Sequence, residues 1–114
     1  MKKYPFSFVP LAQGRSLKKP RKSGRTMFID WGLDMARVEG LMRLVGDYVD
    51  IVKIPIGTSR LYEEEQLQEK FEVYHRYNVE TFVGGGFIEH VYATEGMNSL
   101  KQMFKESKRA GFDI

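Results

Sequence analysis

A lysine sits near the end of an apolar segment, Tyr48–Ile54, with Val52 and Ile54 on either side. Burying an unpaired ammonium is costly, so Lys53 needs a partner, a route to the rim, or a chemical task. As a task, it could neutralise a phosphate, sulfonate or carboxylate, or donate a proton. The residues that follow, Pro55 to Ser59, read as a Pro/Gly turn carrying Gly57 and the hydroxyls of Thr58 and Ser59. Two similar stretches flank it. Asp30 closes the run Thr26–Asp30 and is followed by Trp31 and Gly32. Gly84, Gly85 and Gly86 directly follow Val79–Val83, with Glu89 a few residues on.

Carboxylates at the ends of strands suit Mg²⁺, a hard cation that takes oxygen ligands and keeps some water. Glycine-rich turns that open helices present backbone N–H groups to anions. Together the three stretches read as a Mg²⁺-assisted site for a small polyanion. Each has a plainer alternative. Asp30 could cap the next helix, three glycines could form only a tight turn, and Trp31 could wall a pocket or pack. His75 and His90 lack a metal-ligand spacing, and His75 is expected to be structural or solvated. No GxSxG, Walker or GxGxxG motif is present.

The elements that would position these residues follow from hydrophobic spacing. Thr26–Asp30 is apolar on both faces, which suits a parallel strand covered by helices. Leu33–Val45 shows helical spacing through Met35, Val38, Leu41, Met42 and Val45, with Asp34 as N-cap and Gly46 as stop. Tyr48–Ile54 is a second strand, with Val49, Ile51 and Lys53 on one face. Glu63–Tyr77 is a helix with Leu67, Phe71 and Tyr74 inward, ended by Asn78. Val79–Val83 is a third strand. A short helical turn over Phe87–Ala93 and a helix over Met97–Ala110 follow, stopped by Gly111. Gly46–Ile51 and Gly111–Ile114 share a pattern: helix stop, aromatic, Asp, Ile. The chain is therefore expected to reach the start of a fourth strand. Serial strand–helix units imply a parallel sheet with right-handed crossovers. In such folds the loops after the strands gather at one end and build the site. The expected architecture is α/β: the N-terminal half of an eight-stranded barrel, with three complete strand–helix units and the start of a fourth. The rest would come from a larger chain or a second one.

Composition narrows the function classes. The chain has 114 residues, 42% hydrophobic and 29% charged, enough for one modest core. It has no cysteine, which rules out disulfide and thiolate chemistry and permits a cytoplasmic location. No apolar run approaches the roughly 18 residues of a membrane span. Residues 1–25 hold eight of the 18 lysines and arginines and no acid; the remainder carries a balance of −5. The sequence thus divides into a basic arm, 1–24, and a partial barrel domain, 25–114. The arm could bind nucleic acid, remain a solvated tail, or form an ordered lid that supplies cations to an anionic substrate. The acidic body and the lack of a recognised motif weigh against nucleic acid.

The ordered blocks Lys18–Leu33, Val45–Ser59, Val79–Tyr92 and Ala110–Ile114 resemble those of the phosphosulfolactate synthase family, which is also related to plant heat-stress-associated proteins. The resemblance implies an eight-stranded α/β barrel and a lyase-type, Mg²⁺-dependent addition of sulfite to phosphoenolpyruvate. The product, phosphosulfolactate, leads to coenzyme M in methanogens and to sulfolactate in bacteria. Carried over by position, Asp30 and Glu89 would hold Mg²⁺, and Lys53 would be the catalytic cation at the substrate's anions. Lys19 and Arg21 would close over phosphate or sulfite. Gly57, Thr58, Gly85 and Gly86 would shape the cradle, with Ser59 as the second hydroxyl. The chain departs from the family at Trp31, where a lysine is common, and at Gly86, where a threonine is common. The competing reading is a non-catalytic barrel relative acting in stress or protein interaction. Expected partners are small anionic substrates and a second copy or the missing half-barrel, with no membrane partner.

Overall fold

The computed structural model describes residues 3–14 and 16–114; Lys2 and Arg15, two of the arm's bases, lie outside the described residues. Three short strands form a parallel sheet in chain order: β1 (Met27–Ile29), β2 (Ile51–Ile54) and β3 (Glu80–Val83). Registers are Ile29 opposite Lys53 and Lys53 opposite Phe82. Helix α1 (Met35–Val45) joins β1 to β2, and α2 (Glu64–Arg76) joins β2 to β3. Both boundaries of α1 follow local chemistry. Asp34 accepts a hydrogen bond from the Arg37 N–H at 2.9 Å, and Gly46 closes the other end. Asn78 leaves α2 with a positive φ of 53°, a conformation asparagine tolerates better than most residues.

The last helical span, α3 (Gly85–Ala110), is two helices meeting at Gly96, whose φ of 82° and ψ of −174° are not helical. The expected break between residues 93 and 97 is therefore present. Gly85 and Gly86 belong to the first turn of α3 and not to a loop.

The core lies between the sheet and α1 and α2. Val38 and Met42 of α1 meet Val52 and Ile54 of β2 and Leu67, Phe71 and Tyr74 of α2. Each such side chain, fully buried, contributes about 1.5–3 kcal/mol. One sequence expectation changes here. The helices cover one face of the sheet, not both. Val52, Ile54, Thr81 and Val83 are buried, whereas Met27 and Ile29 are 49% and 41% exposed, and Lys53 and Phe82 are half-buried. Val49 also leaves the face of Ile51 and Lys53. A 3₁₀ turn over Gly46–Tyr48 precedes it and directs it into the core.

Past Gly111, the backbone runs along β3. The Asp113 and Ile114 N–H groups donate to Thr81 O, and Val83 N–H donates to Ile114 O. These bonds lay residues 113–114 on the edge of β3, although the sheet itself has three strands and the expected fourth is not among them. Asp50 and Ile51 donate to Thr26 O in the same way. The repeated aspartates also match: Asp50 Oδ2 accepts from Thr26 N–H at 2.8 Å, and Asp113 Oδ2 from Thr81 N–H at 2.7 Å. Each aspartate ties the entry of its segment to the neighbouring strand. No helix among the described residues is long and apolar enough to cross a membrane.

Candidate functional site

Lys53 lies on the open face at the carboxyl end of β2. Its carbonyl accepts from the Asp30 N–H at 2.9 Å, which fixes the ends of β1 and β2 against each other. Its stem runs beside the start of α3: a Cβ placed on Gly84 would stand 3.2 Å from Lys53 Cε. The same Cβ would stand 3.2 Å from Ile54 O and Ile56 N, and the Gly84 N–H donates to Ile54 O at 3.1 Å. Gly84 is thus the glycine that the close approach of β2 and α3 requires. Gly85 and Gly86 have open space where a Cβ would go. The sequence places Gly84 in the third stretch of the site but gives the cradle role to Gly85 and Gly86.

The turn after β2 also comes to this end. Gly57 has a φ of +73°, and a Cβ there would meet the Phe87 ring at 3.2 Å. Thr58 Oγ1 donates to Pro55 O at 2.9 Å, so this hydroxyl closes its own 3₁₀ turn. Ser59 is half-buried and borders a cavity of about 580 Å³ on the helix side, whose walls include Tyr62, Leu67, Phe87, Val91 and Met103.

Asp30 is fully buried and points to the helix side of the sheet. Its Oδ1 accepts from the Gly32 and Leu33 N–H groups at 2.9 and 2.8 Å. Its Oδ2 accepts from Lys70 Nζ at 3.0 Å and Tyr74 OH at 2.6 Å. Burial pushes the Asp30 carboxyl up, but these four donors outweigh it and hold the group below its ordinary value. Tyr74 is pushed above its ordinary value by burial and by Asp30. Lys70 is also 4.6 Å from the centre of the Tyr62 ring. Asp30 therefore ties the first strand to α2. This arrangement does not fit the Mg²⁺ expected at Asp30 and Glu89. Both Asp30 oxygens are already paired, one of them with an ammonium that would repel a dication. Glu89 is exposed on α3. Among the described residues no three His, Cys, Asp or Glu side chains form a group able to hold a metal.

Lys19 and Arg21 go to the opposite end of the sheet from Lys53. Lys19 Nζ donates to Gly46 O and Tyr77 O, at the carboxyl ends of α1 and α2. Burial holds its pKa below the ordinary value, against the pull of Asp50. Arg21 pairs with Asp50 at 2.8 Å and also donates to Asp47 O and Ser16 O. Asp50 precedes β2, so the amino ends of the strands are where this part of the arm is anchored. There it braces the fold, and the structure does not bring these two cations to the strand-end cluster. His75, expected to be structural or solvated, is partly exposed and meets Asp113 at 2.8 Å, and His90 is exposed.

The sequence reading missed Lys70. Lys70 follows Leu67 by three residues and precedes Tyr74 by four, which puts it on the inward stripe of α2. A lysine in that stripe signals a buried acid elsewhere in the chain.

A parallel sheet helical on one face, with a lysine at the carboxyl end of its middle strand, defines a strand–helix domain of the α/β class. A family model described as (2R)-phospho-3-sulfolactate synthase (ComA) matches residues 14–114, and the chain belongs to that family. A phosphosulfolactate synthase of Methanothermobacter thermautotrophicus is 34% identical over 95 residues, 83% of this chain and 36% of the relative. Similar proteins of the same name from Methanocaldococcus jannaschii and Bacillus subtilis are 29% and 30% identical over 90 and 82 residues, covering 79% and 72% of this chain. The chain spans about a third of the length of these relatives, 32–36%.

Proposed function

We propose that this chain forms the first strand–helix units of a cytoplasmic phosphosulfolactate synthase barrel, in which Lys53 holds an anionic group of phosphoenolpyruvate while sulfite adds to it. The observation that carries the reading is the position of Lys53. It stands on the face that the helices leave open, at the carboxyl end of β2, with its stem against Gly84 where α3 begins. In a closed barrel that face is interior, and the carboxyl ends of the strands carry the site. Further strands, from the rest of a family-length chain or from a second copy, would cover it.

In the proposed reaction, the sulfur lone pair of sulfite attacks the methylene carbon and a C–S bond forms. The electrons of the C=C bond move toward the carboxylate, which becomes an aci-carboxylate. A proton then reaches the phosphate-bearing carbon. A fixed ammonium beside the carboxylate or phosphate favours this step, because negative charge grows there in the transition state. Mg²⁺ belongs to the proposed reaction as a requirement that chelation tests; neither Asp30 nor Glu89 is assigned to it.

The four donors on Asp30 favour a second reading, a non-catalytic relative that keeps the scaffold. Calorimetric titration of the chain with phosphoenolpyruvate, and ³¹P NMR of a mixture with sulfite and Mg²⁺, separate the two. The first reading expects binding that Lys53→Met abolishes, with turnover only when the remaining strands are supplied. Absence of binding, or binding indifferent to Lys53→Met, sinks it.

A further inference from the structure

On the side of the sheet away from Lys53, α3 stands partly off α2. The cavity of about 580 Å³ between them falls within the roughly 300–1,000 Å³ range of small-molecule sites. The residues of α3 explain the space. Ser99, Met103, Ser107 and Ala110 border it from one face of the helix, and three of these four side chains are short. No residue of α3 is fully buried. The facing walls are apolar: Leu67 of α2, and Phe87 and Val91 of the first half of α3. Two contacts brace the gap. Phe112 stacks edge-on against Phe71 of α2 with ring centres 4.8 Å apart, and Arg109 reaches Glu64 of α2 at 2.6 Å.

The charges at the rim are unevenly committed. Glu64 and Glu106 both pair with Arg109, at 2.6 and 2.9 Å. Arg60 borders the cavity from the turn after β2, and its guanidinium makes no hydrogen bond or ion pair among the described residues. Such a group is a planar fork of donors that fits a carboxylate. We propose that this cavity binds an amphipathic monocarboxylate of the fatty-acid type, with its alkyl chain against Leu67, Phe87, Val91 and Met103 and its carboxylate on Arg60. An alkyl chain gains affinity there by leaving water. The site is independent of the anion-binding reading of Lys53. Closing the sheet into a barrel would enclose the open face and leave this cavity among the outer helices.

The test is calorimetric titration of octanoate and of 1-octanol into the unmodified chain and the variants Arg60→Gln, Met103→Trp and Lys53→Met. The unmodified chain is expected to bind octanoate, with the largest amide shifts in ¹⁵N-resolved NMR along residues 87–91 and 99–107. Arg60→Gln removes the charge from an exposed side chain. Its octanoate affinity is expected to fall about tenfold, the low end for a hydrogen bond to a charged group, with octanol affinity unchanged. Met103→Trp fills the space and is expected to abolish binding of both ligands. Lys53→Met is expected to bind octanoate as the unmodified chain does. No octanoate binding by the unmodified chain, shifts confined to the open face, or full affinity in a folded Met103→Trp chain overturns the site. A loss in Lys53→Met places octanoate at Lys53 and overturns the cavity as its site. An Arg60→Gln chain that keeps full octanoate affinity, or loses octanol equally, overturns the carboxylate contact. If Met103→Trp does not fold, the Arg60 comparison and the amide shifts decide.

Discussion

Replacing Asp30 with asparagine keeps the shape of the side chain and removes its charge. The remaining amide oxygen can still accept from Gly32 and Leu33, so the loop after β1 keeps part of its anchoring. The other side of the group fares worse. Lys70 is 5% exposed and Asp30 0%, and the variant leaves a buried ammonium without its counter-charge. Breaking a buried pair from one side costs about 3–5 kcal/mol. The face of Tyr62, 4.6 Å from Lys70 Nζ, offsets a part of this. A domain of 114 residues has a total stability of about 6–17 kcal/mol at typical values per residue. The loss is therefore a large fraction of the whole. It corresponds to a fall in melting temperature of roughly 15–30 °C for a domain near this size. Urea unfolding followed by far-UV circular dichroism measures it, with the slope against denaturant unchanged. The double variant Asp30→Asn with Lys70→Met should regain stability, because the stranded charge is gone. A loss under about 1 kcal/mol, or a double variant no better than the single one, would refute the tie between β1 and α2.

Gly84→Ala should cost about 1–3 kcal/mol in the same assay, since its Cβ meets backbone atoms of Ile54 and Ile56 that cannot yield. Gly86→Ala should raise stability by about 0.5–1 kcal/mol, because the site is open and helical; a comparable loss would contradict the distinction drawn between the two glycines. Arg21→Ala strands the buried Asp50 carboxylate and should cost about 3 kcal/mol while leaving anion affinity at Lys53 unchanged by calorimetry. Weaker binding in a folded Arg21→Ala chain would return Arg21 to the site. Asp30, Asp50 and Asp113 are all held below their ordinary pKa. Their contribution is complete above the unfolded-state value of about 3.9 and is lost as pH falls through the lower folded values. Stability should thus drop below about pH 4, and Asp30→Asn should flatten that drop; a stability independent of pH from 5 to 2 would count against it.

The elements were legible because they are local. The spacing of Val38, Leu41, Met42 and Val45, the Asp34 cap, and the stops at Gly46, Asn78 and Gly111 each act within a few residues, and each appears where expected. The shared aromatic–Asp–Ile pattern also foretold a shared bond, since Asp50 and Asp113 hold neighbouring strands in the same way. The family, too, was readable from the order of its blocks.

What the sequence could not decide was which end of the sheet a residue outside a helix or strand reaches, and what waits there. Lys19 and Arg21 precede β1 by only a few residues, yet apart from Ser16 their partners lie 26 to 58 residues away, at the amino ends of the strands. Asp30 stands at a strand end, as a metal ligand would. Its charge is nonetheless taken by Lys70 and Tyr74, 40 and 44 residues on, because strand alternation turns it toward α2. Lys53, one strand over and on the other side of the pleat, stays on the open face. One residue of alternation thus separates a buried tie from an accessible cation, and only the packing of α2 against the sheet determines which residue becomes which.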